Sequence, residues 1–193
     1  MEGSILDLEY KKRDSEEKKN ETLNIDKRIK ELNLNNEWEL HLMVNHPLKE
    51  IEKWKTVKNI KRVIFHIECE DRPSATIKAI KESGWEVAIA INPETDKYDV
   101  LPYISQIDEI LFMTVHPGRQ GAPFVEEVQD NIIELKKILE IKHADIIIAA
   151  DGSIKKDNIQ KIKSWGVNNF CVGSAIISAP DPKSAYEELL KLI

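Results

Sequence analysis

From residue 37 onward, short runs rich in β-branched residues alternate with longer stretches whose apolar positions recur every three or four residues. The runs predict strands over 38–44 (WELHLMV), 62–68 (RVIFHIE), 86–92 (EVAIAIN), 109–115 (EILFMTV), 145–151 (DIIIAAD) and 169–175 (NFCVGSA). The stretches between and after them predict helices over about 47–57, 73–83, 97–106, 123–141, 155–165 and 181–192. Pro47, Pro73, Pro123 and Pro182 fall near first-turn positions, where a missing N–H costs nothing. Gly84 and Gly166 read as helix stops. The strands are almost continuously apolar, as in a parallel sheet covered on both faces, and the unit repeats about every 24 residues. Right-handed crossovers leave two architectures for such a chain, an open doubly wound sheet or a closed (β/α)8 barrel.

Residues 1–36 do not follow this pattern. They supply at best one weak strand, SILDL at 4–8, followed by the charged stretch KKRDSEEKKNETLNIDKRIKELNLNN. A solvated helix or an irregular loop is the expectation there, with a partner-binding arm as the alternative. The expected organisation is therefore a charged N-terminal segment, 1–36, and one βα-repeat domain, 37–193, with about six βα units.

Composition narrows the classes. At 193 residues, with 41% hydrophobic and 32% charged side chains, the chain is long enough for one globular domain with a sizeable core. A formal net charge of −6 gives no basic footprint for nucleic acid and favours small-molecule chemistry. No apolar stretch approaches the roughly 18 residues of a membrane span, and the first residues lack a signal-peptide core. A cytoplasmic location is the expectation. Cys69 and Cys171 sit in or beside strand-like runs without metal-site spacing and read as reduced packing residues.

In a parallel α/β architecture the ligand sits at the C-terminal ends of the strands. The polar, sulfur and glycine residues at those ends are His41, Met43, His66, Glu68, Asn92, Met113, His116, Gly118, Gly121, Asp151, Gly152, Ser153, Gly173 and Ser174. Gly121, Gly152 and Gly173 stand at the mouths of consecutive βα loops. There they either make tight turns or let backbone N–H groups approach a phosphate. Asp151 closes an apolar run, either as a functional carboxylate or as a helix N-cap; Ser153, nearer the expected helix start, is the competing cap. His41, alone inside an apolar strand, reads by itself as a hydrogen-bonded core residue or as a ligand.

These residues, in this order, resemble the ribulose-phosphate 3-epimerase family. The stretches that carry the resemblance are HLMV (41–44), FHIE (65–68), AINPET (90–95), FMTVHPGRQGAPF (112–124), ADGSI (150–154) and VGSAI (172–176). The resemblance implies an α/β ribulose-phosphate-binding TIM (β/α)8 barrel. It also implies interconversion of ribulose 5-phosphate and xylulose 5-phosphate by metal-assisted proton transfer through an enediolate. Family members hold a divalent metal, Zn, Fe, Mn or Co, with two histidines and two aspartates. His41 matches one of those histidines and Asp151 one of the aspartates, which also serves as one of two acid/base groups. His41, Met43 and Met113 match residues around the substrate. Gly118, Arg119, Gln120 and Gly121, then Gly152 with Ser153 and Gly173 with Ser174, match the phosphate and substrate loops.

The departures from the family pattern carry expectations of their own. The family motif H-x-D-x-M-D-G, with the other two metal ligands and the other catalytic aspartate, is not in these residues, and Met1-Glu2-Gly3 looks like a displaced remnant of its end. The expectation is an N-terminally truncated, incomplete barrel with an incomplete metal site, little or no epimerase activity, and self-association through unpaired strand edges. The alternatives are a non-catalytic sugar-phosphate-binding barrel and an epimerase of a related ketose phosphate such as allulose 6-phosphate. Arg119 and Gln120 replace an aromatic residue and a glycine of the family loop, Ser153 replaces a glycine, and His116 stands where glutamate or asparagine is usual.

Overall fold

A computed structural model of the chain describes residues 6–11, 37–116 and 122–193. The chain divides into two compact units, residues 1–89 and 90–193.

In the first unit β1 (Leu6–Lys11), β2 (Trp38–Met43) and β3 (Ile60–His66) run parallel in sequence order. β1 was not expected in this form, because only 4–8 carried a weak apolar signal; in the structure it extends to Lys11, which lies opposite Met43. The expectation of a helix or loop over the rest of the charged segment, 12–36, lies outside the described residues. Helix α1 (Pro47–Trp54) follows β2 and α2 (Pro73–Glu82) follows β3, each with its proline in the first turn. β4 (Glu86–Ile91) begins in this unit, and the division between the units falls within it. Leu40, Leu42, Val63, Ile64, Phe65, Val87, Ala88 and Ile89 are all at most 1% exposed, on both faces of their strands. Ile51 and Trp54 of α1 and Ile77 and Ile80 of α2 are buried as well. Each of the buried Val, Leu, Ile and Phe side chains stabilises the fold by about 1.5–3 kcal/mol relative to exposure.

At the N-terminal ends of these strands the core holds a charged cluster. Arg62, 3% exposed, donates from one guanidinium nitrogen to Glu39 and from the other to Glu86 at 2.6 Å. Burial raises the Glu39 carboxyl above its ordinary range despite the neighbouring Arg62 and Lys61, so desolvation outweighs the attraction.

In the second unit β5 (Glu109–Met113), β6 (Ile147–Asp151) and β7 (Asn169–Cys171) are again parallel and in sequence order. Helix α3 (Val128–Ile141) buries Val128, Ile132, Leu135 and Leu139, a single stripe at three- and four-residue spacing. Helices α4 (Ile159–Ser164), α5 (Ser174–Ile177) and α6 (Pro182–Leu190) complete the unit. Gly84 and Gly166 end α2 and α4 at φ values of +81° and +109°, as expected of helix stops.

Three expectations need correction. The stretch 97–106 is not an α-helix but a 3-10 helix, Lys97–Tyr103, opened by the Asp96 side chain accepting from Tyr98 N–H. Its internal Pro102 has no N–H to donate into an α-helical ladder. Helix α3 starts at Val128 rather than near Pro123, because Val125 N–H donates to the Thr114 carbonyl and ties this stretch to the end of β5. The sixth run ends as strand at Cys171, and Ser174 already begins a helix.

Candidate functional site

In the first unit, the C-terminal ends of β2 and β3 bring two histidines together. His41 is fully buried in the middle of β2, and His66 ends β3 at 9% exposed. Their Nε2 atoms are 2.9 Å apart. The rings are within 12° of coplanar with centroids 5.0 Å apart. That is the arrangement of an in-plane N–H···N hydrogen bond joining two rings end to end rather than face to face. On its far side, His66 Nδ1 lies 3.3 Å from an oxygen of Glu68. Met43, matched by the resemblance to a substrate-lining methionine, is the half-buried last residue of β2.

The loops that follow β2 and β3 are laced together by polar contacts. Asn45 donates to Glu70 at 2.8 Å, and Leu48 N–H, in the first turn of α1, donates to Asp71 at 2.9 Å. His46 lies 3.5 Å from Glu70 and 3.4 Å from Asp71. Burial pushes the neighbouring Cys69 thiol up to about 11, which keeps it protonated and unreactive at neutral pH. Cys69 and Cys171 are both free thiols.

The second unit brings Met113, Asp151, Gly152 and Ser153 together. Met113 and Asp151 are the last residues of adjacent strands and stand opposite one another; they are 2% and 8% exposed. The turn after Asp151 is shaped by β5. Thr114 N–H donates to the Asp151 carbonyl at 2.7 Å, and the Thr114 hydroxyl donates to the Gly152 carbonyl at 2.6 Å. Gly152 adopts φ +123°, and a Cβ there would lie 2.6 Å from Val115 Cγ2, so both backbone and space require glycine. Ser153 follows at φ +50°, and its hydroxyl donates to the Ala122 carbonyl.

Neither Asp151 nor Ser153 caps α4. That helix starts at Ile159 with Asn158 at its N-cap, and the Asn158 side chain accepts from Lys155 N–H and donates to the Ser153 carbonyl. The reading of Ser153 as the cap is therefore overturned by the length of the loop. Gly173 precedes the one-turn helix α5, whose first residue is Ser174; both lie on the surface. Gly118, Arg119, Gln120 and Gly121 lie outside the described residues.

His116, an unusual residue for its position in the motif, places its Nδ1 against a carboxylate oxygen of Glu94. The two face a surface cleft lined also by Pro93, Pro123, Phe124 and Val125. Phe124 in turn stacks on Trp165, with centroids 6.0 Å apart. The sequence marks His66 and Glu68 as strand-end residues within FHIE but gives them no role, and gives none to Thr114 or Glu94. FHIE places a histidine and a glutamate two apart at a strand end, which was a readable signal; the Thr114 bridge depends on a residue 38 positions away and carried none. Among the described residues, no three of His, Cys, Asp and Glu form a group able to hold a metal ion, and no helix is long and apolar enough to cross a membrane.

The chain is 32% identical over 152 residues to the ribulose-phosphate 3-epimerase of Escherichia coli (strain K12), covering 78% of this chain and 67% of that protein. It is 34% identical over 144 residues to the ribulose-phosphate 3-epimerase of Serratia marcescens, covering 74% of this chain and 68% of that one. In fold it is similar to orotidine 5'-monophosphate decarboxylase from Sulfolobus solfataricus, with a TM-score of 0.66 at 14% identity, covering 99% of this chain and 98% of that one. That likeness is one of architecture, the α/β class of TIM barrels, of which the described residues hold six strands in parallel pairs, β1 to β3 and β5 to β7, alternating with helices. With the model of the ribulose-phosphate 3 epimerase family matching residues 19–177, the chain belongs to that family of carbohydrate epimerases.

Proposed function

We propose that the chain descends from enzymes that interconvert ribulose 5-phosphate and xylulose 5-phosphate, and that Asp151 is its acid/base group for the proton at C3. The observation that carries this reading is the setting of Asp151. It is a carboxylate 8% exposed at the end of a buried strand, beside Met113, in a turn shaped by Thr114 and Gly152 and not used to cap a helix. A base so held stays aimed at one position, and the apolar Met113 beside it keeps water from competing for the proton.

His41 and Asp151 are the residues proposed to hold a divalent metal, two of the four ligands of the family. Imidazole nitrogen with carboxylate oxygen suits Zn, Fe, Mn or Co. The contact of His41 Nε2 with His66 supports that reading, since a His41 that donates in that bond would offer Nδ1 as its ligand atom. A metal bound there would polarise the substrate carbonyl next to C3. Ser153 and Gly152 in one loop, Gly173 and Ser174 in another, and Gly118 to Gly121 in a third are proposed to receive the sugar phosphate.

Proton transfer at both faces of C3 needs a second acid/base group besides Asp151, and little or no turnover by residues 1–193 on their own is part of the proposal. The proposed location is the cytoplasm, and the proposed assembly is a homo-oligomer. The test is a coupled assay of ribulose 5-phosphate epimerisation with Zn, Fe, Mn or Co added. It compares this chain with a form carrying a family H-x-D-x-M-D-G strand at its N-terminus. Activity in the extended form that is lost in Asp151→Asn is the expected result. Phosphate-ester binding with no turnover in either form would replace the proposal by a non-catalytic sugar-phosphate-binding protein. Turnover of allulose 6-phosphate alone would change the substrate.

A further inference from the structure

The hydrogen-bond chain through His41, His66 and Glu68 has a direction. A carboxylate only accepts, so the contact of Glu68 with His66 Nδ1 at 3.3 Å places a proton on that nitrogen. A neutral imidazole carries one N–H, so His66 Nε2 is then the acceptor in the 2.9 Å bond to His41. With both rings neutral, the proton in that bond belongs to His41 Nε2 and the lone pair of the His41 ring lies at Nδ1. The alternative use of the two facing Nε2 atoms, as paired ligands of one metal, is disfavoured by the end-to-end, nearly coplanar rings, which aim each Nε2 at the other and not at a common ion.

We propose that Glu68 and His66 are positioning residues which hold His41 as the Nε2–H tautomer and so present His41 Nδ1 as a ligand atom. The proposal deepens the metal reading above and rests on it for its purpose, but not for its geometry. The device is the usual outer partner of a metal-binding histidine with a second imidazole inserted between carboxylate and ligand. It explains why a histidine and a glutamate stand two residues apart at the end of β3, where a parallel strand would otherwise turn directly into its loop.

The test is a long-range 1H–15N correlation spectrum of the imidazole nitrogens in the metal-free 193-residue chain at pH 8, with His41 assigned by the His41→Gln variant. A single His41 tautomer protonated at Nε2 is the expected result; a His41 protonated at Nδ1 in the unaltered chain overturns the proposal outright. In Glu68→Leu the His41 signals should move towards a mixture of tautomers. In Glu68→Gln, whose amide oxygen still accepts from His66 Nδ1, they should stay as in the unaltered chain. An unchanged tautomer in Glu68→Leu also overturns it. Zinc affinity, read by competition with a chelating dye, should fall about 10- to 100-fold in Glu68→Leu and recover in Glu68→Gln. A tautomer change without an affinity change removes the positioning role. If the unaltered chain takes up no zinc, the metal reading under Proposed function is the one that falls, while the nitrogen spectrum still decides the tautomer.

Discussion

The hydroxyl of Thr114, at the end of β5, donates to the carbonyl of Gly152, in the turn just beyond β6, at 2.6 Å. Together with the bond from Thr114 N–H to the Asp151 carbonyl at 2.7 Å, it carries the pairing of β5 and β6 past the last residue of the strand. Asp151 is thereby anchored on both sides, by the ladder before it and by Thr114 after it. Thr114→Val keeps the shape and removes the hydroxyl, and is expected to cost about 1–3 kcal/mol in urea unfolding. Thr114→Ser, which keeps the donor, should recover most of that loss. Equal losses in the two variants would mean that the methyl group, and not the hydrogen bond, matters.

Gly152 is expected to tolerate no side chain. Gly152→Ala must bear a backbone at φ +123° and a Cβ against Val115, and should destabilise by more than about 1 kcal/mol. Adding Val115→Ala relieves the clash but not the backbone strain. The double variant should therefore be more stable than the sum of the two single losses, yet still less stable than the unaltered chain. Thermal melts of the four proteins check this, and strict additivity would show that the contact with Val115 is relieved by movement.

Glu39 has a pH dependence opposite to that of an ordinary paired carboxylate. Burial raises its folded-state value above the ordinary carboxylate value of 4.5, so the folded chain holds this proton more tightly than the unfolded one. The stability it contributes is present in full below about 4.5 and is lost as pH rises through the raised value. Glu39→Gln has no proton to lose and can still accept from Arg62. Its stability relative to the unaltered chain should be near zero at pH 4 and should improve towards pH 7.5, by urea unfolding at both values. A relative stability that falls with rising pH would mean that the attraction of Arg62 outweighs burial. Arg62→Met, by contrast, leaves Glu39 buried without its cation and should cost about 3–5 kcal/mol at pH 7.5.

The βα pattern was legible because burial on both faces of a parallel strand leaves a continuous apolar run. All six such runs expected from residue 38 onward are strands in the structure, with their ends moved by a few residues. Ends moved where a distant partner intervened. Val125 N–H donates to the Thr114 carbonyl and delays α3 to Val128, and the loop after Asp151 reaches to Asn158 because Ser153 is tied to Ala122 and to Asn158. β1 was hardly visible, since LDLEYK is half charged and polar; what makes it a strand is its parallel register with β2.

The sequence by itself determined the class of the protein. Apolar periodicity set the alternation of strand and helix, and the order of HLMV, FHIE, ADGSI and VGSAI, each at or near the end of a strand, marked the family. It also put His41, Met113 and Asp151 on strands, because residues that close or interrupt apolar runs stand out by type alone. Tertiary structure decided how those residues are held. It joined His41 to His66 and Glu68, gave Asp151 a turn built by Thr114, and paired His116 with Glu94. Each of these contacts links residues on different loops or strands, or depends on which ring nitrogen carries a proton. Hydrogen bonds of that kind are set by where strands lie side by side, and hydrophobic periodicity records which face is buried but not which neighbour it meets.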